Sequence, residues 1–293
     1  MVILSKRCLA FTLSLFLLTS VVGAQLRGDL LVSGEIAFWP YDAATLTTPN
    51  GETSIDAAGR FSFTVEKPRR LSAVRDFGDA KNCLSSSKPD VRYTMLSSFE
   101  VMRKGEVIAD LYLQTPRFDY ALGEAYKEFH YYSEATTLSG RCELVYDDGT
   151  SSVYIFPELE VKAGWNRLSA VITELDDLSE TFIFSLDDGG AAYNWELEAL
   201  DSDDYAGIGV NLALADEGLR ITEVEPGFPA QLAGLQIDDV ITHIDGEDAR
   251  TMNVGAAIIR IRGEAGDAVR LRVDQQGEAR DIELIRRRVG TVD

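Results

Sequence analysis

Residues that could act as nucleophiles or general bases are few in this chain, and their spacing fits no hydrolytic centre. Histidine occurs twice, at His130 and His243, each time inside an apolar or aromatic run. Serine hydrolysis requires a serine that a neighbouring base activates. The serine runs at 85–87 and 151–152 lie outside any Gly-x-Ser-x-Gly segment. We therefore interpret both histidines as hydrogen-bonded structural residues and the serines as loop residues.

Metal-ion chemistry has equally little support in the residue spacing. The sequence contains neither the His-Glu-x-x-His of zinc peptidases nor the Asp-Thr-Gly of aspartic proteases. Acidic pairs at 176–177, 187–188 and 203–204 could bind calcium, but residues 201–206 lack the glycine and the terminal glutamate of an EF-hand loop. Solvated turns account for these pairs. We predict no catalytic residues, no metal site, no cofactor and no enzymatic activity.

The three cysteines predict one covalent crosslink. Cys8 lies in the apolar N-terminal segment, which leaves Cys83 and Cys142 in the rest of the chain. In an oxidising compartment, two remaining thiols are more often paired than free, and their bond would close a loop of about 60 residues. Two buried, unpaired cysteines are the alternative interpretation.

The first 24 residues have the composition of a secretory signal peptide. Lys6 and Arg7 precede an apolar run at 8–22, and Ala24 ends a small-residue cleavage site. The apolar run is too short to span a bilayer comfortably, because a spanning helix needs about 20 residues. Gln25 stands where lipoprotein processing requires cysteine. We predict a cleaved signal and a secreted, periplasmic or cell-envelope protein; a retained N-terminal anchor is the alternative.

The charge balance excludes two classes of partner. The chain has 28 Lys and Arg against 48 Asp and Glu, a net charge of −20, and loss of the signal peptide would make it −22. Nucleic-acid binding rests on neutralising phosphates with cations, and anionic membranes attract basic segments. We therefore expect neither nucleic-acid nor anionic-membrane binding.

Residues 25–197 have the pattern of a β-sheet domain. Alternating apolar residues at Phe61, Phe63 and Val65, and again at 182–186, are typical of half-buried strands. Asn-Gly, Lys-Gly and Asp-Gly turns separate short β-rich runs, and long amphipathic helices are absent from the pattern. Many short strands of this kind predict an antiparallel β-sandwich.

The beginning of this region has a local resemblance to a known module. Val-Ser-Gly-Glu-Ile at 32–36 and Asp-Ala-Ala-Gly-Arg-Phe at 56–61 resemble the transthyretin-like regulatory modules of secreted carboxypeptidases. The resemblance is confined to this stretch, and a Gly-turn-Phe hairpin arises readily in any sandwich.

Aromatic residues concentrate between positions 120 and 132. Aromatic rings along a strand can form a platform for carbohydrate, but they serve more often as core residues and cross-strand pairs. We predict the core role and keep carbohydrate binding as the alternative. The residues are Tyr120, Tyr126, Phe129, Tyr131 and Tyr132.

The pattern changes after an acidic stretch at 198–204, which has little to bury and is predicted to be a linker. A Gly-Ile-Gly-Val run at 207–210 precedes an apolar, strand-like segment, and a short helix begins with Pro229 and ends at Gly-Leu. A strand leads into an Asp-Gly turn at 245–246. A second helix, with one apolar face, follows from Asn253, and a closing hairpin completes the segment.

This order of motifs at 205–288 resembles a PDZ domain of the kind attached to bacterial envelope proteases of the HtrA and carboxyl-terminal-processing families. The resemblance rests on Gly-Ile-Gly-Val, Pro-Ala…Ala-Gly-Leu, Asp-Val-Ile…Ile-Asp-Gly and Ile-Arg-Gly, in that order. It implies a small β-barrel with two helices. One departure is Asp238, where the family usually has glycine; aspartate tolerates a left-handed turn better than most residues. The predicted fold class is therefore mainly β, an N-terminal antiparallel sandwich followed by a PDZ domain.

The resemblance also implies a binding site. Backbone N–H groups at 208–210 would receive a terminal carboxylate, and the strand from Val210 would pair with the peptide as a further strand. The second helix would form the other wall, with Asn253 at the first groove position, Ala257 at the fifth and Ile261 at the base. A closed groove used only for packing is the alternative. The predicted peptide-binding residues are Gly207, Ile208, Gly209, Val210, Leu212, Asn253, Ala257 and Ile261.

Two functions remain as hypotheses. In the first, the chain is an exported, non-catalytic PDZ protein, an adaptor or scaffold that binds C-terminal or extended peptide segments of envelope or secreted proteins. In the second, it is an envelope hydrolase or carbohydrate-binding protein, whose β domain carries the activity and whose PDZ domain regulates it. The lack of a recognisable catalytic set favours the first.

Overall fold

The computed structural model describes residues 29–116, 118–187, 193–200 and 205–289. The predicted signal peptide at 1–24 and positions 201–204 of the predicted linker lie outside the described residues. None of the helices in the described ranges has both the length and the apolar character that a membrane crossing requires.

The N-terminal region is built from strands, in keeping with its alternating apolar residues and frequent turns. They are β1 Leu30–Glu35, β2 Ala44–Thr48, β3 Gly51–Ile55, β4 Arg60–Val65, β5 Ser72–Ala73, β6 Leu84–Ser86, β7 Arg92–Leu96, β8 Ser98–Arg103, β9 Glu106–Gln114, β10 Ala125–Tyr132, β11 Thr136–Val145, β12 Ser151–Val161, β13 Gly164–Leu175, β14 Ser179–Leu186 and β15 Asn194–Ala199.

Most of these strands join one large sheet. Its main path runs β3-β2-β8-β9-β10-β13-β14-β12-β11-β6, with β15 paired to β9, and β1 pairs separately with β4. The pairings are antiparallel except that of β12 with β14, which is parallel, with Ser151 opposite Ser179. This one parallel pair departs from the antiparallel sandwich that the sequence predicts. Consecutive strands β12 and β13 run in opposite directions. Because β14 lies between them and is antiparallel to β13, it runs parallel to β12.

Two hydrophobic clusters form the core of this region. The first surrounds Phe156 and Phe184 and includes Cys142, which is fully buried. The second surrounds Leu111 and Trp195. The predicted disulfide between Cys83 and Cys142 is present, with Cα atoms 5.0 Å apart, and it joins β11 to the segment just before β6. Both clusters lie between strands that are distant along the chain.

The C-terminal region alternates strands with short helices, as its motif order predicts. Its elements are β16 Tyr205–Gly207, β17 Val210–Ala215, β18 Gly218–Val224, α1 Pro229–Leu232, β19 Val240–Ile244, β20 Glu247–Asp248, a 3-10 turn Ala249–Thr251, α2 Val254–Ile261, β21 Ala268–Gln275, β22 Glu278–Ile285 and β23 Arg287–Val289. The sheet order is β17-β18-β19-β21-β22, with β20 beside β19, and β16 pairs with β23. Together with the N-terminal sheet, this confirms the mainly β fold class.

Helix α2 joins the two regions directly. The Asn253 side-chain amide donates to the Leu197 carbonyl oxygen at 3.3 Å, and Ile259 packs into the second N-terminal cluster. The predicted linker at 198–204 therefore requires correction at its start. Glu198 still belongs to β15 and lies opposite Asp110 of β9.

Candidate functional site

A groove between β17 and α2 brings together most of the residues predicted for peptide binding. It contains a cavity of about 170 Å³, lined by the loop before β17, by β17 and by α2. The predicted residues found there are Gly207, Ile208, Gly209, Val210, Leu212 and Ile261. The glycine motif and the end of α2, about fifty positions apart in the sequence, therefore face one another across a single recess.

Strand β17 forms one edge of its sheet within the described part of the chain. Its hydrogen-bonded neighbour is β18, and Val210 lies opposite Val224. An edge strand presents a row of N–H and C=O groups that another extended chain can pair with. The half-buried side chains of Val210 and Leu212 line the cavity. This edge can therefore offer main-chain partners and an apolar surface to the same ligand.

The loop before β17 is fixed by main-chain hydrogen bonds. The Ile208 carbonyl accepts from the N–H of Ala230 at 3.0 Å, and the Gly209 carbonyl accepts from the N–H of Glu225 at 2.9 Å. Both carbonyls are thus engaged within the domain, and the start of α1 holds the loop in place.

Gly209 is required by the shape of this loop. Its φ is +77°, a left-handed conformation that side chains rarely adopt. A Cβ atom there would lie 2.4 Å from the Cβ of Phe228. The sequence suggested that glycine allows a ligand to approach the backbone; the structure adds that glycine is also needed to pack the loop against Phe228.

The register of α2 differs from the prediction at two residues. Asn253 is the N-cap and is 3% exposed, and its side chain accepts from the N–H of Ala256 at 2.7 Å. Ala257 is fully buried in the C-terminal core. Neither lines the cavity, and Ile258 does so instead. An asparagine before an apolar run is typical of an N-cap, so the helix begins at the next residue, Val254. Counted from Val254, the fifth helical position is Ile258 and not Ala257.

Arg262 and Tyr205 also line the cavity, and the sequence analysis did not select them. The Arg262 guanidinium carbon lies 3.9 Å from the centroid of the Tyr205 ring. One of its nitrogens donates to the Leu200 carbonyl oxygen at 2.7 Å. These two contacts orient a permanent positive charge beside the groove. The two contacts of Arg262 connect residues 57 or more positions apart, so no local sequence motif predicts them.

The residues first considered for catalysis lie elsewhere and in unrelated settings. His130 is fully buried, with Nε2 2.5 Å from a Glu128 carboxylate oxygen and Nδ1 3.1 Å from the Tyr132 hydroxyl. His243 is half-buried in β19, 3.2 Å from the Thr242 hydroxyl. Among the described residues, no group of three or more His, Cys, Asp and Glu side chains is arranged to hold a metal ion.

Comparison with known sequences identifies the C-terminal region. The PDZ domain family matches residues 194–274. A probable CtpA-like serine protease of Staphylococcus saprophyticus is 31% identical over 88 residues, 30% of this chain and 18% of that protein. The carboxy-terminal processing protease CtpA of Bacillus subtilis is 31% identical over 108 residues, 35% of this chain and 23% of that protein. The chain thus spans about a fifth of the length of these curated relatives.

Solved structures include similar domains. The PDZ domain of a carboxy-terminal protease from Vibrio cholerae, in complex with peptide, is 24% identical, with a TM-score of 0.28 over 30% of this chain and 99% of that one. The photosystem II D1 C-terminal processing protease is 23% identical, with a TM-score of 0.29 over 31% of this chain and 25% of that one. The family match at 194–274 and the similarity to the CtpA-like relatives show that the chain contains a PDZ domain there.

Proposed function

We propose that the PDZ domain at 194–274 gives this chain its function: it binds the C-terminal or extended segments of envelope or secreted proteins, as a non-catalytic adaptor or scaffold. The observation that carries this proposal is the groove between β17 and α2, which combines an edge strand, a glycine loop and an apolar wall. The matched relatives are proteases as whole proteins, but the similarity covers only the PDZ portion.

Three parts of the groove would each recognise a different part of the bound peptide. The bound peptide extends along the edge of β17 and pairs with its main chain. The terminal carboxylate lies at the loop 207–210, where N–H groups and the nearby Arg262 charge favour an anion. The last side chain lies between Val210 on the strand and Ile258 and Ile261 on α2, which form an apolar wall. A small or medium-sized apolar residue at the peptide terminus fits this arrangement.

The compartment forms part of the same proposal. A disulfide such as Cys83–Cys142 persists in oxidising environments and is rare in the reducing cytosol. Together with the predicted signal peptide, it supports an exported protein whose partners are envelope or secreted chains.

The proposal is tested by anisotropy measurements with a fluorescent peptide ending in alanine or valine. We expect micromolar binding, typical of a recognition surface of this size. An amidated C-terminus should weaken binding by about tenfold or more, since a charge-assisted hydrogen bond is lost. Equal affinity for the acid and the amide would overturn carboxylate recognition.

A matched pair of variants locates the site. Ile258→Glu places a charge on the cavity wall, whereas Ile285→Glu makes the same change at a residue of β22 that is 53% exposed. We expect the first to abolish binding and the second to leave it unchanged. Turnover of casein above the buffer control would contradict the non-catalytic part of the proposal.

A further inference from the structure

A second cavity, of about 280 Å³, lies in the N-terminal region, and the PDZ groove does not account for it. Its wall contains a continuous chain of aromatic rings, with successive centroids 4.8 to 6.4 Å apart. The rings come from loops and from β10, β12 and β14. In order, they are Tyr120, Phe118, Tyr126, Phe182, Tyr154 and Phe77. We refer to this recess as the tyrosine cavity.

Carboxylates from three strands line the same cavity. Glu128 of β10 is 3% exposed, and one of its oxygens contacts His130. Glu180 of β14 accepts from the Ser152 hydroxyl at 2.7 Å. Glu198 of β15 also lines it. Among the residues described, no Lys, Arg or His side chain lines the wall. Acidic groups are therefore the charged side chains that the described wall offers, with His130 behind Glu128.

Burial, and after it nearby carboxylates, raise the pKa values of several groups that line this cavity. Partial burial of its hydroxyl raises the pKa of Tyr120, and the Glu198 charge raises it further. Burial and then the Glu128 charge do the same to the pKa of Tyr126. Burial also raises the pKa of the Glu198 carboxyl, to which the charge of Asp110 adds. Burial disfavours a charge of either sign, so the neighbouring carboxylates are what would favour a cation over an anion here.

We propose that the tyrosine cavity binds a small organic ammonium group. The face of an aromatic ring carries partial negative charge and attracts a cation within about 6 Å of its centroid. A wall of consecutive rings gives such a group several faces, and the carboxylates supply the balancing charge. A neutral ligand gains only apolar contact here, and an anion is repelled.

The mouth of the cavity is formed by side chains that remain accessible. Tyr120 and Tyr146 are 48% and 46% exposed, whereas Glu128 lies deep inside. The Tyr146 hydroxyl is 3.0 Å from that of Ser152, which also donates to Glu180. A ligand entering past these two tyrosines meets aromatic rings before the buried Glu128 carboxylate. The ammonium group can be carried by a free small molecule or by a lysine side chain of another protein.

Calorimetric titration of the full, disulfide-intact chain with matched pairs of probes tests the proposal. Choline is compared with its neutral counterpart 3,3-dimethylbutan-1-ol, and Nα-acetyl-lysinamide with Nα-acetyl-norleucinamide. We expect at least one cationic probe to bind about tenfold more tightly than its neutral partner. The pair that discriminates identifies the source of the ammonium group. Equal binding within both pairs, or no binding of either cation at millimolar concentration, would overturn the proposal.

Variants at the cavity connect the binding to this site. Glu180→Gln removes a charge from the wall and should weaken binding of the cationic probe about tenfold. Glu160→Gln makes the same change at an exposed position of β12, outside the cavity, and should have no effect. Tyr120→Leu, at an exposed ring that is not essential to the core, should weaken it about threefold. Affinity unchanged by Glu180→Gln and Tyr120→Leu would place any cation binding elsewhere.

Discussion

The PDZ groove and the tyrosine cavity differ in which atoms form their walls, main-chain atoms in one and side chains in the other. The PDZ groove is shaped by main-chain atoms: a left-handed glycine, a loop anchored by its carbonyls and the edge of β17. The tyrosine cavity is shaped by side chains that converge from separate strands. The proposed ligands differ accordingly, an extended chain with a carboxylate in one and an ammonium group in the other. A net charge of −20 therefore does not by itself set the ligand preference of each recess.

The two recesses are also physically connected. Strand β15 contributes Glu198 to the tyrosine cavity, and its neighbouring Leu197 carbonyl accepts from Asn253 at the start of α2. Helix α2 in turn forms one wall of the PDZ groove. The packing of α2 on β15 therefore separates the two sites, and a change in one region should affect the other if the two regions behave as one unit.

The largest effect is expected from removing the disulfide, which lies entirely in the N-terminal region. Cys83→Ala with Cys142→Ala opens a loop of 59 residues. The chain-entropy model predicts a loss of about 4 kcal/mol in the free energy of unfolding. Urea denaturation of the double variant and of the native chain measures it. A loss below about 1 kcal/mol would show that the bond contributes little in this setting.

The next effect concerns adjacent residues of α2 that face different regions. Ile259→Ala removes a buried side chain from the second N-terminal cluster and should cost about 3 kcal/mol. Ile258→Ala, at a half-buried wall of the PDZ groove, should cost less in stability and more in peptide affinity. Urea denaturation combined with peptide titration separates the two. Equal stability losses would mean that the N-terminal contact of α2 does not matter.

Gly255 gives a third test of the same contact. In an exposed helix, replacing glycine by alanine stabilises by up to about 1 kcal/mol. Here a Cβ atom would lie 2.2 Å from the Leu197 carbonyl oxygen, so α2 and β15 would have to separate. We expect Gly255→Ala to destabilise the chain by about 2 kcal/mol, measured as a lowered Tm. A raised Tm would show that the two regions can move apart freely.

The smallest effect concerns pH. Because burial, together with the charge of Asp110, raises the pKa of Glu198 in the folded chain, its stabilising contribution is fully present below the unfolded pKa. It is lost as pH rises through the folded pKa. Stability of the native chain relative to Glu198→Gln should therefore fall as pH rises above about 4.5. The side chain keeps partial solvent access, which limits the size of this change. Denaturation of both proteins across pH 4 to 7 measures it, and a constant difference would contradict the prediction.

Much of the C-terminal region was predictable because its signals are local. The glycine loop and the proline that begins α1 occur as short, ordered motifs, and Asp238 adopts the left-handed φ of +71° that its position requires. The assignment of α2 residues to the groove was wrong at two positions, because Asn253 is the N-cap of the helix and Ala257 is buried. Which residue of a helix faces a groove depends on where its first turn begins, and a shift of one residue rotates every side chain by about 100°.

The tyrosine cavity could not be predicted in the same way. Its residues extend from Phe77 to Glu198 and come together through the order of the strands in the sheet, in which β14 lies between β12 and β13. Alternating apolar residues indicate that a strand has a buried face, but not which strand lies beside it. Tyr120 and Tyr126 belong to the aromatic group at 120–132 in the sequence, but in the structure they line the cavity whereas Tyr132 is buried in the core. The disulfide was predictable because only two cysteines remained.

The position of β14 has a consequence for the order in which the chain folds. β12 and β13 cannot close as a simple hairpin, because the strand that fills the gap between them is synthesised after both. The contacts of 151–155 with 179–183 form only when the chain through Ile183 is available. Such delayed, non-local pairing slows folding. If the chain is exported from its N-terminus, the edge of β12 stays open until β14 emerges, and during that interval a chaperone that covers strand edges would protect it from aggregation.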